Sequence, residues 1–219
     1  MPSRPNRLVL VLGTETGVGK TWTTAAVVRL LASDGEPGLA VARKPVQSFA
    51  PDDADTAATD AHVLAGANRE EPEDVCPRHR WYEMPLAPPM AAAALGRPAF
   101  SVVDLVDELT WPSQTIVGLV ETAGGPRSPI AADGDSVDLC TALSPDVVVL
   151  VADAGLGAIN AVRLSVEVLL TGCAPILVLL NRWEATDVQR RNREWLLRDG
   201  YQVSTSVADV AARITHRRA

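Results

Sequence analysis

Gly13-Thr14-Glu15-Thr16-Gly17-Val18-Gly19-Lys20-Thr21 combines residue types that suit one task, the grip on a polyphosphate. Glycines let successive backbone N–H groups curl around phosphate oxygens, and a helix starting at the loop's end adds its positive dipole. In that setting Lys20 reaches the β- and γ-phosphates and the Thr21 hydroxyl ligates Mg²⁺. A glycine-rich turn that only caps a helix is the alternative, but Gly-Lys-Thr between an apolar run and a helical pattern argues against it. Lys44 closes a second apolar run beside Pro45, and a phosphoryl-transfer site needs cations where charge accumulates. Asp60 and Glu121 offer the hard oxygens that, with Thr21, Mg²⁺ prefers. Each is also readable as a plain helix-face charge or strand-end cap. Asp153 ends a further apolar run and ranks below both as a ligand.

These residues must be positioned by the elements around them. Residues 8–12 are continuously apolar, the pattern of a strand buried on both faces. Residues 21–32 read as a helix stopped by Gly35 and Pro37. A short strand over 39–42 leads into Lys44-Pro45, and 54–64 is a helix ended by Gly66. Strands are expected over 115–120, 147–151 and 176–180, with a helical pattern over 158–170. Residues 202–206 make an edge strand, followed by a short terminal helix. This alternation predicts an α/β fold, a single doubly wound, mostly parallel sheet with helices on both faces, as in P-loop NTPases. One domain over 1–219 is the simplest reading of a chain of 219 residues. Such a sheet presents ligands at the carboxyl ends of its strands, where Gly13, Lys44, Glu121 and Asn181 fall. Residues 68–98, rich in Pro and Ala, read as loop and short helices packed beside the site.

Composition narrows the partners. A formal net charge of −7 argues against nucleic acid. Arg190, Arg191 and Arg193 are interrupted by Glu194 and Asp199, as on a solvated helix face. No stretch is long enough to span a membrane. Cys76, Cys140 and Cys173 show neither a disulfide framework nor zinc-ligand spacing, which suits a reducing, cytoplasmic setting. His62, His79 and His216 sit in no triad-like context. Trp22 and Trp195 fall in helical patterns and read as packing residues.

The loop's first glycine stands at 13, one residue earlier than the usual spacing, and Thr14 occupies the ordinary place. This shifted loop resembles those of the superfamily that includes dethiobiotin synthetases and the partitioning and septum-site ATPases. The ATPases carry a signature lysine where this chain has Glu15. Dethiobiotin synthetases instead have Gly-Thr-acid-Thr-x-Val-Gly-Lys-Thr, which this loop fits throughout. Lys44-Pro45-Val46 with Ser48, Thr59-Asp60-Ala61, the segment 82–93, Glu121-Thr122-Ala123-Gly124-Gly125, Asp138-Leu139 and Gly157-Ala158-Ile159-Asn160 follow in that family's order.

The resemblance implies an ATP- and Mg²⁺-dependent ligase that converts diaminopelargonic acid and CO₂ to dethiobiotin, ADP and phosphate. It implies that Lys20, Lys44, Thr16 and Ser48 serve the reacting groups. Thr16, Lys44, Ser48, Ala123, Gly124, Gly125 and Asn160 would meet substrate, Asn160 across the interface of a homodimer. Residues Gly13 to Thr21 and Asn181 would hold ATP, and Thr21, Asp60 and Glu121 the metal. Two departures stand out: Thr122 replaces the family's usual glycine and is expected to crowd substrate, and Arg182-Trp183 replaces an acidic residue after Asn181. Another ligase of this superfamily and an ATP-responsive switch share the fold, but Glu15 and Lys44-Pro45-Val46 argue against the switch.

Overall fold

A computed structural model describes residues 4–33, 38–54, 59–170 and 174–215. Strand β1 (Arg7–Gly13) runs into the phosphate loop and α1 (Lys20–Ser33), then β2 (Ala40–Arg43). After β2 come β3 (Gln47–Ser48), α2 (Pro51–Ala54), α3 (Asp60–Asn68), α4 (Pro72–Val75), β4 (Trp81–Tyr82), α5 (Pro88–Ala94) and α6 (Val102–Asp107). The second half holds β5 (Val117–Glu121), β6 (Pro129–Ala131), β7 (Gly134–Asp135), α7 (Ser136–Leu143), β8 (Val147–Asp153) and α8 (Ala158–Leu169). It closes with β9 (Ile176–Asn181), α9 (Asp187–Arg198), β10 (Gln202–Ser204) and α10 (Val207–Thr215).

Six strands form one parallel sheet in the order β10-β9-β8-β1-β5-β2. Its inner strands are apolar along their central positions because both faces are covered, and polar residues fall at their ends. Leu8, Leu10 and Leu12 enter one core with residues of α7 and α8, while Val9 and Val11 enter the other with residues of α1, α3 and α10. Register aligns the strand ends: Val11 pairs with Glu121, Gly13 with Val151, and Asp153 with Asn181. The carboxyl ends therefore form one rim.

Strand β2 lies at the sheet edge, and a side chain closes it. Asn68 Oδ1 accepts from Ala42 N at 2.9 Å and its Nδ2 donates to Ala42 O at 2.9 Å. The amide thus takes the place of a further strand on a buried edge.

The expected strands and helices are present with shifted ends. The helix expected over 54–64 begins instead at Asp60, with Thr59 extended before it; residues 55–58, like Gly35 and Pro37, lie outside the described residues. Gly66 does not stop α3, which continues to Asn68 and ends at Arg69 with φ +64°. Residues 115–116 precede β5, and β10 stops at Ser204 rather than 206. Within 68–98 the short helices appear as expected, but β4 also pairs in parallel with β3. Helix α7 was not anticipated, although Asp135 and Asp138 form a capping box at its start. Cys76 is a buried free thiol. Among the described residues no helix is long and apolar enough to cross a membrane.

Candidate active site

The phosphate loop leaves β1 at Gly13, tied back to β8 by Thr14 N–H to Val151 O at 2.9 Å. Gly19, at φ +94°, takes a conformation that side chains resist. A Cβ there would also lie 2.3 Å from Asn181 Nδ2. The N–H groups of residues 15–19 donate to no acceptor among the described residues, which leaves them to an anion. Lys20 is buried, with Nζ 3.0 Å from Glu15 O. Burial, and next the charge of Lys44, bring its ammonium down to about 8.

Opposite the loop, β2 and β5 deliver a compact charged cluster. Lys44 Nζ lies 2.7 Å from Asp60 Oδ2, 2.8 Å from Glu121 Oε1 and 2.9 Å from Thr122 O, so its three N–H donors are matched by three acceptors. Burial alone would lower its pKa, but Asp60 and Glu121 outweigh that and hold it above its ordinary value. Burial would likewise raise Asp60, and the Lys44 charge and hydrogen bond overcome it, leaving Asp60 below the usual carboxylate range.

Thr21 Oγ1 is 2.7 Å from both Asp60 Oδ1 and Glu121 Oε1. One hydroxyl proton cannot serve both contacts, and Glu121 Oε2 is buried with no hydrogen-bond partner. Among the described residues no three His, Cys, Asp or Glu side chains converge on a metal seat. Two carboxylates and a hydroxyl that share a single proton are nonetheless a donor set that suits a hard divalent cation. Asp153 lies outside this cluster, paired at 2.9 Å with Arg182.

A cavity of about 640 Å³ joins the parts: Thr16, Gly17, Lys20, Thr21, Lys44, Ser48, Asp60, Ala123 and Gly124 line it, walled by Pro85 to Pro88. Ser48 Oγ donates to Leu86 O at 2.6 Å, so it offers the cavity a lone pair rather than a proton. A second cavity of about 510 Å³ opens beside Gly19 between Asn181, Trp183, Thr205 and Val207.

Several expectations change. Thr122 does not crowd the cavity; it is fully buried, and its N–H pairs with Val11 O at 3.1 Å. Gly125 is held to the phosphate loop rather than opened to a ligand, since a Cβ there would lie 2.8 Å from Thr14 O. Asn160 is exposed on α8 and lines neither cavity. Trp22 is 59% exposed and lines both cavities, so it is no core residue, and Trp195 is exposed as well.

Sequence reasoning missed Gln47 and Ser128. Gln47 accepts from Ala61 N–H at 3.0 Å and so fixes the start of α3 beside Asp60. Its place between Val46 and Ser48 was the available signal. Ser128 accepts from Gly125 N–H at 2.9 Å and lines the larger cavity; nothing in its spacing marked it.

A family model described as an AAA domain matches residues 7–213. The ATP-dependent dethiobiotin synthetase BioD of Anaeromyxobacter sp. (strain Fw109-5) is 39% identical over 188 residues, covering 83% of this chain and 79% of that protein. The chain belongs to the ATP-dependent dethiobiotin synthetase family. The synthetase of Anaeromyxobacter dehalogenans (strain 2CP-C) is 36% identical over 219 residues, 96% of this chain and 86% of that one.

Among solved structures, a Borrelia burgdorferi B31 chain described as a plasmid partition protein, bound to AMPPNP, superposes with a TM-score of 0.53 at 12% identity. It covers 98% of this chain and 92% of its own. At that identity the likeness shows the fold alone. The sequence, by contrast, places this chain with the synthetases.

Proposed function

We propose that this chain catalyses the ATP-dependent carboxylation and ring closure of diaminopelargonic acid with CO₂, giving dethiobiotin, ADP and phosphate in biotin biosynthesis. The observation that carries this reading is one cavity onto which the phosphate loop and Lys44, Asp60 and Thr21 of the charged cluster open together. One substrate amine adds to CO₂ and loses a proton, forming a carbamate. A carbamate oxygen attacks the γ-phosphorus and ADP leaves. The second amine then attacks the carbamoyl carbon, closes the ureido ring and expels phosphate.

No protein nucleophile is required, so the residues act by position and charge. Lys20 sits under the loop and pairs with the terminal phosphates. Lys44 fixes a positive charge between two strand ends, held there by its three acceptors. Thr16, exposed at the cavity mouth, donates its hydroxyl to the carbamate or phosphate. Ser48, its proton engaged by Leu86, accepts from a substrate amine instead. Thr21, Asp60 and Glu121 hold Mg²⁺, which when bound offsets the charge of the triphosphate. Ala123 and Gly124 form the substrate wall. The pocket at Asn181 takes the base.

The unit acts as one domain over 1–219 and as a homodimer. Leu156, 97% exposed in the turn before α8, and Leu164, 58% exposed one turn beyond Asn160 on that helix, are apolar surface near Asn160 that suits a second copy.

Phosphate release from ATP with bicarbonate, measured with and without the diamine, tests the reading. Release that depends on the diamine and yields dethiobiotin is expected. Release indifferent to the diamine but raised by a macromolecular partner would establish an ATP-responsive switch instead.

A further inference from the structure

The two residues that follow the last Val-Leu-Leu run of β9 hold successive carbonyls of the phosphate loop. Asn181 Nδ2 donates to Val18 O at 2.8 Å, and Arg182 Nη2 donates to Gly17 O at 2.6 Å. The other guanidinium nitrogen, Nη1, reaches Asp153 Oδ2 at 2.9 Å, at the end of the neighbouring strand β8. Asp153 is fixed in turn by Gly155 N–H, 2.8 Å from its Oδ1. Arg182 therefore spans from the sheet rim to the tip of the loop.

Its backbone is not relaxed. Arg182 has φ +56°, a left-handed conformation that non-glycine residues adopt against a steric penalty. Helix α9 holds it there: Gln189 Nε2 donates to Arg182 O at 3.0 Å, and Gln189 is buried in the first turn. Strain kept by a buried partner points to a function of the residue it strains.

The geometry of the peptide unit supplies that function. In a trans peptide the carbonyl and the N–H point to opposite sides. Holding the Gly17 and Val18 oxygens toward β9 turns the N–H groups of Val18 and Gly19 the other way. Those N–H groups have no acceptor among the described residues, and Gly17 and Gly19 line the larger cavity. The ion pair adds little to folding, because its side chains are 58% and 44% exposed. Its effect lies in where it aims the loop.

We propose that Arg182, fixed by Asp153 and Gln189, is a positioning residue that pre-orients the phosphate loop for the triphosphate, independently of the base. This rests on the reading of the loop as the ATP site.

The test compares ligands with and without a base. The full-length wild type, Arg182→Met, Asp153→Asn and the double variant are titrated calorimetrically with ATP, GTP and inorganic tripolyphosphate, each with Mg²⁺. Arg182→Met is expected to weaken tripolyphosphate and ATP by the same factor, about three- to tenfold for a half-exposed charge-assisted hydrogen bond. The ATP-to-GTP ratio stays as in the wild type, thermal midpoints stay unchanged, and the double variant loses no more than Arg182→Met alone. Wild-type affinity for tripolyphosphate in Arg182→Met overturns the proposal, and so does a loss confined to ATP, which would make Arg182 a base contact. Failure of the wild type to bind either ATP or tripolyphosphate would instead overturn the ATP-site reading beneath it.

Discussion

Replacing Lys44 by Met keeps an unbranched stem and removes one charge from the most buried part of the site. Lys44 is 2% exposed and Glu121 is fully buried, so water cannot replace the lost partner. The variant is left with Asp60 and Glu121 converging on a single Thr21 hydroxyl, 2.7 Å from each, and with Glu121 Oε2 already unpartnered. Removing one member of a buried ion pair costs about 3–5 kcal/mol, because a charge stays behind uncompensated. For a chain of this size about 1 kcal/mol moves the thermal midpoint by roughly 2–4 °C, so the expected fall is roughly 6–20 °C.

The loss should depend on pH in a defined sense. Lys44 has its folded pKa above the unfolded 10.5, so its contribution is complete below 10.5 and fades as pH rises through the folded value. Asp60 has its folded pKa below 3.8, so its contribution is present above 3.8 and is lost as pH falls through the folded value. The gap between wild type and Lys44→Met is therefore widest from about pH 5 to 9, and it narrows on acidification as Asp60 takes up its proton. Circular dichroism melts across this range read it directly. Added Mg²⁺ should recover part of the variant's midpoint, and ring-closing activity should vanish while ATP binding persists in part. A variant that melts with the wild type at neutral pH would refute the claim that the Glu121 charge depends on Lys44.

Three further outcomes follow from distances already given. Since Lys20 titrates at about 8 and only its ammonium form pairs with phosphate, kcat/KM for ATP should decline as pH rises through that value; a profile level to about pH 10, the unperturbed lysine range, would contradict it. Asn68→Ala strands the buried N–H of Ala42 at the sheet edge, while the Ala42 carbonyl keeps Arg43 Nη1 at 2.9 Å, and should cost about 1–3 kcal/mol in denaturant unfolding, so an unchanged midpoint would remove the amide's role as edge partner. In Gly125→Ala the new Cβ would sit 2.8 Å from Thr14 O, so the loop must move; KM for ATP should rise about tenfold with a small change in melting, and wild-type kinetics would show that the loop tolerates the shift.

Much of this was legible because strand and loop signals are local. The continuous apolar run at residues 8–12, set directly before a glycine-rich loop, identifies both β1 and what it carries, and β8 and β9 announce themselves in the same way. Lys44, Asp60, Glu121 and Thr21, distant in sequence, are brought within hydrogen-bonding reach of one another. What stayed hidden is whatever depends on direction. Trp22 has the periodicity of a core residue, yet it faces the cavities, because its neighbours on α1 alone decide which side is buried. The pairing of β3 with β4 involves two residues on each side, too few for any periodic signal. Ser48 was expected to serve the reacting groups, and only the nearby Leu86 carbonyl reveals that its proton is taken.

Thr122 shows how strand parity resolves what a motif comparison cannot. Successive side chains on β5 point to opposite faces, with Leu119 in the core under α1 and Val120 in the other. Glu121, two residues beyond Leu119, must therefore emerge on the α1 side, where Thr21 starts its helix and Lys44 ends β2. Its neighbour Thr122 must turn away from them, which is why a β-branched residue fits where a glycine is usual. The same parity makes the site intolerant of slippage. A shift of one residue in the pairing of Val11 with Glu121 would carry the carboxylate into the layer of Leu10 and Leu12, with no cation in reach. The apolar alternation that secures the two cores thus also fixes the side on which the charged cluster is built.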